Sequence, residues 1–74
     1  MAYELWAWVV TEDDGTEGVI CGIVPQLADL GMGPILLQHR KREVAETLRP
    51  YAEGHGRIAN KAVRLAHLVE VTET

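Results

Sequence analysis

Two apolar runs meeting across an Asp-Gly pair constrain this chain more than any other feature. Tyr3 to Glu12 and Glu17 to Val24 are rich in β-branched and aromatic residues, and Asp14-Gly15 lies between them. The pattern predicts a β-hairpin. With Asp14-Gly15 as the two central residues of a type I′ turn, Val10 faces Val19, Trp8 faces Cys21 and Trp6 faces Ile23. Side chains alternate across a strand. One face then carries Trp6, Trp8, Val10, Val19, Cys21 and Ile23, and the other carries Leu5, Ala7, Val9, Ile20, Gly22 and Val24.

Both faces are apolar. A half-buried antiparallel hairpin alternates apolar with polar residues, so here each face needs a cover. A helix suits the smooth face, where Ala7 opposes Gly22. The indole-bearing face needs a second body. A one-residue slip would leave both faces apolar, so the register has to come from the turn.

Past Pro25, which cannot donate to a ladder, Gln26–Gly33 reads as a turn-like stretch with room for one helical turn. Leu27, Leu30 and Met32 either plug the edge of the core or belong to a lid. Ile35 to Gln38 reads as a third strand or as the start of a helix. From Arg40 to Ala59, Val44, Leu48, Tyr51, Ala52, His55, Ile58 and Ala59 recur at helical spacing. Pro50 interrupts this stretch. Either the helix bends there, which the unbroken apolar stripe favours, or a second helix starts with Pro50 in its first turn. Asn60 suits a left-handed cap. Lys61 to Val71 alternates as a final strand, and Thr72 to Thr74 should fray.

The expected fold is therefore α+β: one domain over residues 1–74, β-β-β-α-β, with a three- or four-stranded, mainly antiparallel sheet. One bent helix packs on one face and serves as the crossover to the last strand. A chain of 74 residues buries only about 60% of its unfolded surface, so oligomerisation is a natural support. Its single cysteine, Cys21, leaves no internal disulfide and suits a reducing compartment. The net charge of −4 disfavours phosphate-backbone binding. No apolar run reaches the ~20 residues of a membrane span, and no signal-peptide pattern opens the chain. The expectation is a cytoplasmic protein.

Glu12 to Gly18 after a tryptophan-containing strand, Leu48-Arg49-Pro50-Tyr51-Ala52-Glu53, and Val63-Arg64-Leu65 resemble small uncharacterised proteins of actinobacteriophages, of the mycobacteriophage type. The likeness covers most of the chain. It departs at Asn60-Lys61, where that group carries a Gly-Lys pair, so the cap chemistry differs. The resemblance implies a phage origin and a host-cytoplasmic setting, and it brings neither an activity nor site residues.

The chemistry-bearing residues point mostly to structure. His39, His55, His67 and Cys21 lack zinc spacing, although His55 and His67 would meet in the core if both faced inward. Glu12-Asp13-Asp14 and Glu17 suit a solvated hairpin tip better than a cation loop. Arg40, Lys41 and Arg42, together with Arg64, are the candidate contacts for an anion. Gly31-Met32-Gly33 is not a phosphate loop. No nucleophile–base pair is recognisable, so no enzyme, cofactor or metal is expected. Trp6, Trp8, Val10, Val19, Cys21 and Ile23 form the candidate interaction surface, since large apolar patches and tryptophans mark binding sites. The expected function is a non-enzymatic protein–protein interaction module, homodimeric and engaging a host or phage protein. The alternative is a nucleotide- or metabolite-sequestering protein with a pocket rimmed by Arg40–Arg42 or Arg64.

Overall fold

The structure, a computed structural model, describes residues 4–69. Strand β1 (Glu4–Thr11) is central. It leads through a tight loop to β2 (Glu17–Val19) and β3 (Cys21–Gly22). Next come the single turn α1 (Pro25–Ala28), β4 (Ile35–Leu36) and β5 (Gln38–His39). Helices α2 (Arg42–Glu46) and α3 (Arg49–Ala59) precede the last strand, β6 (Val63–Val69). The expected α+β fold with a mainly antiparallel sheet is present. The expected strand residues beyond Val69 and the frayed tail lie outside the described residues.

The hairpin forms, but one residue out of the expected register. Val9 pairs with Val19, Val10 with Gly18 and Thr11 with Glu17. The reason is the loop. Gly15 N–H donates to Glu12 C=O at 3.0 Å and Glu12 N–H to Thr16 C=O at 2.7 Å, and Gly15 sits at φ 87°. That is a type I turn followed by a left-handed residue, the three-residue hairpin with a glycine bulge, instead of the two-residue type I′ turn. Asp14 supports it: its carboxylate accepts from the Thr16 N–H at 2.9 Å and the Thr16 hydroxyl at 2.7 Å. The extra loop residue moves Val19, Cys21 and Ile23 to the other side of the sheet from the tryptophans.

One edge of β1 pairs with β6 along its length, from Glu4–Val69 to Val10–Val63. The other edge is shared between β2 and β5, the latter through Trp6–His39 and Ala7–Gln38. Three backbones meet where the sharing changes hands. Trp8 N–H donates to Leu37 C=O, Leu37 N–H to Ile20 C=O, and Ile20 N–H to Trp8 C=O, each at 2.9 Å. Beyond this ring β3 leaves β1 and pairs with β4 (Cys21–Leu36, Gly22–Ile35). The expected third strand is thus present but broken at Leu37, because its two halves bond to different partners. Trp8, Ile20 and Leu37 are also the largest fully buried side chains. The ring satisfies the backbone polar groups at the driest point of the domain, where an orphan would be most costly.

Both β5 and β6 run antiparallel to β1 on its opposite edges, so they are parallel to each other. The segment joining them must pass over β1. It does so as two helices, not one bent helix. Thr47 and Leu48 make three-residue-back bonds to Val44 and Ala45, and α3 restarts with Pro50 in its first turn. A helix continuing through Pro50 would lack its N–H at that point and clash with the turn before it; restarting there avoids both. Helix α3 ends as expected on Asn60 at φ 55°, ψ 49°. Lys61 N–H reaches Gly56 C=O at 2.9 Å and Asn60 N–H reaches Arg57 C=O at 3.3 Å, the paired bonds of a Schellman cap.

The core lies between these helices and the Trp8–Val10 side of the sheet. It comprises Trp8, Val10, Ile20, Val24, Leu37 and Ala52, with Leu27, Ile35, Leu48, Tyr51, Val63 and Leu65 packed around them. Ile58 leaves the expected stripe and is 91% exposed, since α3 turns Ala52 and Gly56 inward instead. Of the three expected plugs only Leu27 packs on the core; Leu30 and Met32 are exposed.

Candidate functional site

The indole-bearing face is the one the helices cover. Trp8 is 2% exposed. Its Nε1–H donates to Ala45 C=O of α2 at 2.7 Å, and the Arg49 guanidinium lies 4.8 Å from its ring centroid. Val10 is buried beside it. Neither can belong to a docking surface, because the crossover over β1 is a consequence of the β5–α2–α3–β6 topology. Trp6 is half-buried on the same side. His67 stacks on it at 3.9 Å between centroids and 7° between planes, and the Arg42 guanidinium lies 5.0 Å from its centroid. His67 Nε2 in turn lies 2.6 Å from Glu4 Oε1.

Val19, Cys21 and Ile23 lie on the opposite, helix-free face. Pairing and alternation collect Leu5, Ala7 and Val9 of β1 there, with Ala66 and Leu68 of β6, Val19, Cys21 and Leu36. Ile23 follows two residues after Cys21. Ala7, Val9 and Ala66 are buried there, whereas Ile23 is 60%, Leu36 49% and Leu68 40% exposed. Of the expected interaction residues, Val19, Cys21 and Ile23 therefore sit on this second face, Trp8 and Val10 are buried under the helices, and Trp6 is half-buried beside them. The signal that separates them was the third loop residue, Asp13, which moves the register.

One charged pair crosses this face. Arg64 of β6 donates through Nε and Nη2 to the Glu17 carboxylate of β2 at 2.8 and 2.7 Å. The partners sit on the two strands flanking β1, so the pair bridges over it near Val9. The Arg64 hydrogen bond holds the Glu17 carboxyl below its ordinary 4.5. The Thr16 hydroxyl, then the Thr16 N–H, hold Asp14 below 3.8. Both carboxylates are lowered in the folded state, so each contributes stability that is complete above those values and lost as the pH falls through the lower folded ones. Urea titrations at descending pH should show stability declining from 4.5 downward. Arg64→Ala should flatten the Glu17 part of that decline and Thr16→Ala the Asp14 part.

The candidate anion contacts do not converge. Arg42 pairs with Glu46 at 3.8 Å beside Trp6, Arg40 and Lys41 are exposed before α2, and Arg64 is on the other face. Two hollows among the described residues are not rimmed by them. One, of about 490 Å³, lies in the crook between α3 and β6, lined by Glu53, Gly56, Arg57, Asn60, Lys61, Ala62 and Val63. The other, of about 310 Å³, lies between α1 and the helices around Leu27, Thr47 and Tyr51. His55 and His67 do not meet: His55 is on α3, and His67 is on β6 against Trp6. Among the described residues no three His, Cys, Asp or Glu side chains gather as metal ligands. Nor is any helix long and apolar enough to cross a membrane. No protein-family model, no curated protein and no solved structure matches this chain.

Proposed function

We propose that this chain is a non-enzymatic interaction module that works as a homodimer, joined through the helix-free face of its sheet. The observation that carries this reading is the makeup of that face: Leu5, Val19, Cys21, Ile23, Leu36 and Leu68 surround a floor of Ala7, Val9 and Ala66, and Gln38 beside Ala7 and Thr11 are its uncharged polar members. A solvated antiparallel face would be polar. The molecule is a slab 42 × 33 × 19 Å, so its broad side has room for the about 800 Å² per partner of a standard interface. The charge on the face is balanced within the Glu17–Arg64 pair, so two copies can approach despite a net −4. A twofold axis would also let each Glu17 reach the other copy's Arg64, as an isologous interface allows. Sheet-on-sheet packing at about 10 Å fits two such faces.

The likeness to small actinobacteriophage proteins supports a setting in the cytoplasm of an infected host, where the dimer would engage a host or phage protein. Light scattering on the eluting protein tests the dimer. The expected mass is twice 8.2 kDa, and Leu36→Lys, which places an ammonium among the exposed apolar residues of the face, should shift it to the monomer with the fold intact by circular dichroism. A wild-type monomer at high concentration, or a dimer unmoved by Leu36→Lys, overturns the proposal.

A further inference from the structure

Among the described residues, strand β6 pairs on one side only. The phase of its ladder is set by Thr11 N–H donating to Ala62 C=O at 3.0 Å. In an antiparallel ladder bonded and non-bonded pairs alternate, so Arg64, Ala66 and Leu68 bond to β1. Val63, Leu65, His67 and Val69 turn their N–H and C=O groups outward, and among the described residues no backbone or side-chain group pairs with them. Exposed edges are usually blunted by lysine, proline, a bulge or a covering segment. Val63–Val69 holds neither lysine nor proline, and among the described residues no second strand pairs with it. Its Arg64 is held by Glu17 and its His67 lies against Glu4.

The edge starts at a cavity. Val63 both opens the free edge and lines the space of about 490 Å³ in the α3–β6 crook. Three charged groups on that lining are Glu53, Arg57 and Lys61. Glu53 lies 3.6 Å from Arg49 and Lys61 is paired with Glu12. Arg57 has no carboxylate within salt-bridge distance among the described residues, and it is exposed. Gly56 lets the crook close: a Cβ there would lie 2.9 Å from Lys61 O and 2.9 Å from Val63 Cγ1.

We propose that the free edge of β6 takes up an extended peptide, antiparallel, with a carboxylate at its C-terminal end set against Arg57. Only another extended backbone presents N–H and C=O groups at the two-residue repeat that Val63, Leu65, His67 and Val69 require. Antiparallel pairing brings the peptide's C-terminal end to Val63, beside the unpaired guanidinium, and arginine binds carboxylates through charge-assisted bonds. This site does not depend on the dimer: it lies at an edge of the sheet, and the dimer uses a face.

The test is fluorescence anisotropy with two labelled probes, the acetylated peptide Thr-Val-Thr-Val-Thr-Val-Glu and the same peptide ending in an amidated Lys. The acidic probe should bind saturably and more tightly than the basic one. His67→Pro removes an outward N–H without touching the β1 ladder, a placement proline tolerates on edges, and it should weaken binding about tenfold or more. Arg57→Glu should weaken the acidic probe about tenfold and favour the basic one. Should His67→Pro fold poorly, the acidic probe N-methylated at the amides facing β6 serves instead and should not bind. No saturable binding, indifference to both the proline and N-methyl blocks, or preference for the basic probe overturns the proposal. So does a drop in mass in His67→Pro alone, which would give the edge to a second copy.

Discussion

Trp8→Ala will remove a large share of the stability of this domain, whereas Trp6→Ala will remove little. Trp8 sits at the backbone junction with Ile20 and Leu37, is 2% exposed, and donates its indole N–H to Ala45 C=O at 2.7 Å. Truncating a buried tryptophan costs about 3–5 kcal/mol, from lost transfer energy and the cavity left behind. A domain of this length is stable by roughly 4–11 kcal/mol in all. Trp6 has a solvent-facing stack on His67 and an Arg42 neighbour, and such an aromatic pair contributes about 1 kcal/mol. Urea denaturation followed by far-UV circular dichroism separates the two. The same experiment on Trp8→Phe should give an intermediate loss of about 1–3 kcal/mol, since a smaller aromatic ring still fills part of the site but the bond to Ala45 is lost. Equal, small losses from both alanine variants would mean that the helices do not close over Trp8.

The second large effect separates two glycines on one helix. Gly54→Ala should stabilise the protein by up to about 1 kcal/mol, because alanine is the better helix former. The new methyl meets only the Arg57 Nη2 atom, at 3.8 Å. Gly56→Ala gains the same propensity but drives its methyl to 2.9 Å from the Lys61 carbonyl oxygen and from Val63 Cγ1. The carbonyl is backbone, and the Lys61 N–H is already bonded to Gly56 C=O at 2.9 Å. The crook must therefore open. Overpacking of this kind costs about 1–3 kcal/mol, more than the propensity returns, so the net change is a loss. Thermal melts of the two variants should move in opposite directions. A stabilised Gly56→Ala would show that β6 does not start so tightly against α3.

Much of the local structure could be read from the chain. The hairpin, the turn glycine, the Asn60 cap and the last strand each depend on interactions within a few residues, and those carry clear composition signals. Pro50 was legible as a break, but the choice between a bend and a restart depends on whether the α2 and α3 axes must both lie over β1. Ile58 fits a helical stripe by spacing, yet it faces water because α3 presents its two smallest inward residues, Ala52 and Gly56, to the sheet. The edge cavity left no trace in the pattern: Glu53, Arg57, Lys61 and Val63 come from two elements brought together by a cap.

What the sequence determined alone was that both sides of the first strand are apolar and that a 74-residue chain would struggle to cover both. Hydrophobic burial is non-directional, so that conclusion did not depend on register. Which side goes dry was decided by the tertiary structure. One additional residue in the hairpin loop moved Val19, Cys21 and Ile23 across the sheet, because side chains in a strand alternate with a period of two. The parallel relation of β5 and β6 then sent the helices over the tryptophans. The first decision lies in the turn itself; the second depends on which backbones bond to which edge of β1.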